Sequence, residues 1–129
     1  MTKLTSLMNA STLTRLLLGL VFVLFGLNGF FSFIPLEAPA GEAGAFLGAL
    51  AASGYMFPLI KIVEIVAGAL LLANRHTLLA TLLLLPIVIN VLAFHLFLDH
   101  SGMLTACAVS ALEGYMLYEN RETLKQLLN

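Results

Sequence analysis

Charge is what this sequence has least of. Only 10% of its 129 residues are charged, six basic and seven acidic, for a formal net charge of −1. The basic residues are scattered, which leaves no electrostatic footprint for nucleic acid. Cysteine is nearly absent too: Cys107 stands alone in an apolar segment, so there is no disulfide framework, no CxxC redox pair and no cysteine-rich metal site. The three histidines, His76, His95 and His100, are dispersed. They supply no facing pair of axial haem ligands, and His95, His100 and Asp99 make a poor zinc set. No nucleophile–base pair, phosphate loop or metallohydrolase motif occurs, so no metal and no cofactor motif is identified and nothing marks the chain as an enzyme on its own. What the sequence does have is apolar surface. Hydrophobic residues make up 60% of it and the mean hydropathy is +1.02, more than one soluble core of this size requires. The lipid bilayer is therefore the expected surrounding, and the whole of 1–129 reads as a single domain with no room left for a soluble catalytic module.

The expected fold is an all-α membrane protein, a four-transmembrane-helix bundle with a short interfacial helix between spans 1 and 2. Leu16 to Ile34 is an uncharged run of nineteen residues ending at Pro35, long enough to cross hydrocarbon about 30 Å thick; with its flank it makes a first span near 12–34. Ala38-Pro39-Ala40 has the form of a signal-cleavage site, but the apolar run exceeds the roughly 7–15 residues of a signal core. Small residues over 43–53 then predict a helix too short to span, lying in the interface or partly re-entrant. Further spans are predicted near 57–73, 77–98 and 103–118, separated by Asn74-Arg75-His76 and Asp99-His100-Ser101-Gly102, with Pro86 inside the third. The polar tail 119–129 carries Leu124, Leu127 and Leu128 on one stripe, as a helix on the membrane surface or capping the bundle does. Lys3, Arg15, Arg75, Arg121 and Lys125 all fall on one side of this arrangement. A multi-pass protein with both termini cytoplasmic follows from that bias.

Among the polar residues inside the predicted spans are Asn28, Lys61, Glu64, Asn90 and Glu113. A charged side chain at the bilayer centre costs about 2.5–3.5 kcal/mol on insertion scales, so such groups turn inward. Because alternate spans reverse direction, all five fall in the outer half of the membrane or near its midplane. At about 100° per residue, Lys61, Glu64 and Gly68 share one helix face, and Pro86, Asn90, Phe94 and Phe97 another. Glu113 shares its face with Ala106 and Ser110. One polar intramembrane site is the expectation, with His95, about 140° from Asn90, at its periphery. Lys61 pairs with Glu64 at i,i+3, which leaves Glu113 unbalanced unless it is protonated, hydrogen-bonded by Asn28 or Asn90, or shares the lysine. The competing reading is that these groups only fasten the helices, since intramembrane hydrogen bonds average about 0.6 kcal/mol. Gly19, Gly26 and Gly29 read as packing notches. Gly44 and Gly48 have a GxxxG spacing that suits close packing of the short helix and, less well, a homodimer contact. Aromatic residues beside Asn28 and Asn90 suit a pocket for a flat apolar ligand such as a quinone.

Several segments together resemble the DoxX family of small bacterial membrane proteins: Arg15 opening the first span, LFGLNGFF at 24–31, GYMFPLIKIVEIVAGALLL at 54–72, the Asn74-Arg75 turn, PIVINVLAFHLFLD at 86–99 and Leu112-Glu113. The resemblance covers nearly the whole chain. It implies a four-span inner-membrane protein and a link to quinone-dependent redox complexes, with other membrane subunits as partners; it carries over no catalytic residues. The polar tail 118–126 departs from the more aromatic end expected of the family. The expected function is an accessory or ligand-binding component of a quinone-linked redox process. The alternatives are a small-molecule or lipid binder or transporter using the same pocket, and a purely structural membrane subunit.

Overall fold

The computed structural model describes residues 2–129, with side chains described from Ala10 onward. The described residues are all-helical: α1 (Thr2–Phe31), α2 (Gly41–Ala52), α3 (Met56–Leu72), α4 (Thr77–Phe97), a single 3-10 turn (His100–Gly102), α5 (Met103–Glu119) and α6 (Arg121–Leu128). The boundaries fall where the sequence supplies breaks. α1 ends with Ser32 in the left-handed region (φ 51°), and the Asn28 side chain closes that end on itself. Its Oδ1 accepts from the Ile34 amide at 2.6 Å and its Nδ2 donates to the Ile34 carbonyl at 3.2 Å. α3 ends in a Schellman turn: Asn74 takes φ 55°, its amide donates to Leu71 O at 3.2 Å, and the Arg75 amide donates to Leu70 O at 3.0 Å. Asparagine tolerates that left-handed position better than most residues.

Two helices, over Ala10–Phe31 and Thr77–Phe97, are long and apolar enough to cross a membrane. A third span is present if α2 and α3, bent by 87° at their junction, count as one broken segment. Alone, α3 and α5 have 17 residues each, which at about 1.5 Å per residue gives about 25 Å, a little under the hydrocarbon thickness. α4 runs through Pro86 without interruption.

In lipid, apolar side chains gain little by leaving the solvent, so helices associate through close packing and interhelical hydrogen bonds. The α1–α3 seam shows both. A Cβ placed on Gly19 would lie 2.9 Å from the Gly68 carbonyl, and one on Gly68 would lie 2.7 Å from the Gly19 carbonyl; only glycine at both positions allows the backbones to touch. Nearer the other end of the seam, a Cβ on Gly26 would meet Ile65, and one on Gly29 would meet the Lys61 stem at 2.7 Å. The expected notches in α1 are thus where α3 seats. Arg15 closes the seam by donating from Nη1 to the Leu71 carbonyl and, at 3.4 Å, to that of Leu72, which sets a cation at the C-terminal end of α3. The rest of the core is Leu18, Phe22, Ala67, Leu71, Ala80, Leu84, Val88, Val109 and Met116, drawn from α1, α3, α4 and α5.

Candidate functional site

The residues at the start of α3 cannot all face one neighbour, because α2 arrives nearly at right angles and does not lie along α3. Between α2, α3 and α4 a cavity of about 510 Å³ remains, within the size range of small-molecule sites. α2 contributes Phe46, Leu47 and Leu50; α3 contributes Met56, Phe57, Ile60, Lys61 and Glu64; α4 contributes Pro86, Ile87, Asn90, Val91, Phe94 and His95. A smaller space of about 250 Å³ adjoins it, sharing Phe46, Asn90 and Phe94 and reaching Phe97. The Phe46 and Phe94 rings meet between them, with centroids 6.0 Å apart.

Most of the wall is apolar, and its polar side chains are Lys61, Glu64, Asn90 and His95. Lys61 Nζ donates to Glu64 Oε2 at 3.4 Å, the two side chains being 18% and 7% exposed. The same ammonium stands 5.3 Å from the Phe57 ring centroid, a cation–π distance, and its aliphatic stem fills the notch at Gly29. Asn90 is exposed to both spaces. His95 Nδ1 lies 2.9 Å from the Asp99 carbonyl oxygen. The ring is edge-on to Phe94, with centroids 5.1 Å apart, and rests against Gly102, where a Cβ would collide with it.

Of the five polar residues expected to converge, the cavity brings together Lys61, Glu64 and Asn90 and joins His95 to them. It does not reach Asn28 or Glu113. Both polar atoms of Asn28 are used on Ile34, so its amide shapes the chain reversal after α1. Glu113 lies on the stripe of α5 that carries Ala106, Val109 and Met116, and is 2% exposed. Among the described residues, neither of its carboxyl oxygens nor the Ser110 hydroxyl has a hydrogen-bond partner. Hydrogen bonding by Asn28 and sharing of Lys61, both open to Glu113 on the sequence, are not used.

Phase reasoning set His95 at the periphery; it lines the same cavity as Asn90, whose wall on α4 runs from Pro86 to His95. The α2 residues Phe46, Leu47 and Leu50 fall in the short helix expected over 43–53, but nothing in the sequence marks them as a cavity wall. That role depends on the 87° bend, for which Gly54, with φ 82°, was the available signal.

Among the described residues no group of three or more His, Cys, Asp or Glu is placed to hold a metal ion. Asp99 accepts from the Ser101 hydroxyl at 2.6 Å and from its amide at 3.1 Å. Those hydrogen bonds, the hydroxyl's first, hold the Asp99 carboxyl below the usual carboxylate range. The arrangement as a whole suits binding: a largely apolar cavity with a few polar groups on its wall orients a molecule that has an apolar body and a polar head. Compared with family models, with curated proteins and with solved structures, the chain finds no match.

Proposed function

We propose that this chain is a DoxX-like, four-span protein of the bacterial inner membrane with both termini cytoplasmic, and that the α2–α3–α4 cavity binds a lipid-soluble small molecule as part of a quinone-linked redox process. α1, α3, α4 and α5 act as the four spans, the two shorter ones completed by flanking residues; α2 lies at the outer interface and walls the site. The observation that carries the reading is the Lys61–Glu64 pair, held at 3.4 Å on the wall of a cavity of about 510 Å³. An ion pair inside an apolar helix carries an insertion cost, and here it borders a space of ligand size. The chain serves as a binding or accessory component beside other membrane subunits, which carry the electrons.

One observation favours a second reading, a structural subunit. The Lys61 stem packs on Gly29, so the same residue also fastens α3 to α1. Purification from native membranes and mass spectrometry of the extract separates the two. Binding requires a lipid-soluble small molecule, a quinone being the first candidate, to co-purify with wild type and to be lost from Lys61→Met. If no molecule co-purifies, or its amount is unchanged in Lys61→Met while Tm falls, the structural reading stands.

A further inference from the structure

The polar residues that line the cavity differ in what they offer a ligand. A carbonyl oxygen only accepts hydrogen bonds, so the 2.9 Å contact between His95 Nδ1 and Asp99 O puts the proton on Nδ1. In the neutral ring Nε2 is then an acceptor. Packing on Gly102 and Phe94 keeps the ring in that orientation. Glu64 is also an acceptor, and Asn90, which makes no hydrogen bond within the described chain, offers one acceptor and one amino group. On the donor side stands Lys61, already engaged with Glu64 and Phe57. A head that only accepts would leave His95 Nε2 without a partner, whereas Glu64 already has Lys61.

Charge narrows the choice further. Lys61 and Glu64 neutralise each other at 3.4 Å; an anionic head brought to the patch would meet Glu64, and a cationic one would meet Lys61. An uncharged head avoids both penalties in this low-dielectric surrounding.

We infer that the cavity selects an uncharged amphipath with a hydroxyl head, an alcohol or a phenol, over the same body carrying a bare carbonyl, an ether or a charge. The hydroxyl donates to His95 Nε2 and accepts from Asn90 or Lys61, while the body lies between Phe57, Leu50 and Phe94. This rests on the reading of the cavity as a ligand site and adds the chemistry of the ligand. Of the two redox forms of a quinone-type ring, it is the hydroxylated one that the cavity fits.

The test uses the full chain in phospholipid nanodiscs, with binding read from the ligand-dependent rise in Tm. Three compounds share one body: 4-nonylphenol, its methyl ether 4-nonylanisole, and 4-nonylbenzoate. The phenol is expected to bind at least about ten-fold tighter than the anisole, one hydrogen bond's worth of selectivity, and the benzoate more weakly than either. In His95→Phe, which keeps an aromatic ring beside Phe94, the preference for the phenol is expected to vanish. If that variant does not fold, the wild-type ratio of phenol to anisole decides alone. Equal binding of phenol and anisole overturns the hydroxyl inference and leaves the cavity as a ligand site. Binding of none of the three overturns both.

Discussion

Glu64 and Glu113 are both glutamates buried in apolar helices, and the chain treats them in opposite ways. Glu64 has Lys61 one turn away at 3.4 Å and borders a cavity. Glu113 is packed among the core side chains of α5, with neither carboxyl oxygen bonded and an unbonded Ser110 hydroxyl three residues before it. On the α2–α3–α4 side helices cross at a steep angle and leave space; on the α1–α3 seam, and where α4 and α5 close the core, they meet through glycine or interlocking apolar side chains. Polar groups on the open side border the cavity, Lys61 paired with Glu64 and His95 held on the Asp99 carbonyl. Those on the closed side are either consumed in shaping the chain, like Asn28, or left without a partner, like Glu113. Burial of a titratable group is therefore not by itself a sign of a binding site; the accompanying space and partners distinguish the two.

Substitutions that exploit this contrast should differ in size. The largest effect is expected from Gly68→Leu, which forces side-chain atoms into the Gly19 carbonyl. A loss of about 3 kcal/mol or more is expected, read from the denaturant midpoint in detergent, whereas Leu50→Phe on the cavity wall should leave stability within about 1 kcal/mol. A Gly68→Leu protein as stable as wild type would show that the seam is not close-packed.

Next in size is Lys61→Met, which leaves Glu64 without its partner. Full burial of such a pair makes its rupture cost about 3–5 kcal/mol; with the Lys61 side chain 18% exposed, about 1–3 kcal/mol is the expected loss. Lys61→Met combined with Glu64→Leu should recover most of it, because no lone charge remains. A double variant that is weaker than the single one by the sum of two independent losses would mean that the pair is not coupled.

Glu113→Leu should move stability the other way. It removes buried polar atoms that have no partner, and such replacements are close to neutral or stabilising, here by about 1 kcal/mol. Destabilisation by more than about 2 kcal/mol would reveal a partner for Glu113 that the closed side of the bundle hides.

The smallest effect lies at the turn that holds His95 against the cavity. The Ser101 hydroxyl lowers the Asp99 pKa. A carboxylate whose folded pKa is depressed stabilises the fold fully above its unfolded pKa of about 3.9 and loses that contribution as pH falls through the folded value. Ser101→Ala should therefore raise the Asp99 midpoint in a carboxyl NMR titration and flatten the acid limb of the stability profile. An unchanged midpoint would exclude the hydroxyl as its cause.

Much of this architecture was legible in the sequence. Pro35 lies in the break after α1, Gly41 opens α2, Gly54 and Asn74 follow the ends of α2 and α3, and Gly102 precedes α5, because glycine, proline and asparagine act on local backbone geometry, which a sequence states directly. The glycine notches of α1 were legible for the same reason: closeness of approach needs only the absence of a side chain. The grouping of the polar residues was legible in part. Helical phase says which residues share a face, but not which neighbour that face meets, and this is why Lys61, Glu64 and Asn90 converge while Glu113 points into the closed core. Asn28 was lost to a local solution, its amide matching the Ile34 backbone six residues ahead, a contact that depends on how the chain turns after Phe31. The crossing of α2 over α3, which makes the cavity, depends on one junction between short helices and has no periodic signature.

The most direct test of the open side as a ligand site is photolabelling of the wild-type chain in nanodiscs with an apolar alkyl diazirine, followed by peptide mapping. Adducts should concentrate on Phe46, Leu50 and Phe94, be diminished by an excess of unlabelled apolar ligand, and be absent from the Val109–Met116 stripe of α5. Adducts confined to outward residues such as Ile89 and Leu104, which are 58% and 86% exposed, with none on the α2–α4 wall, would contradict it.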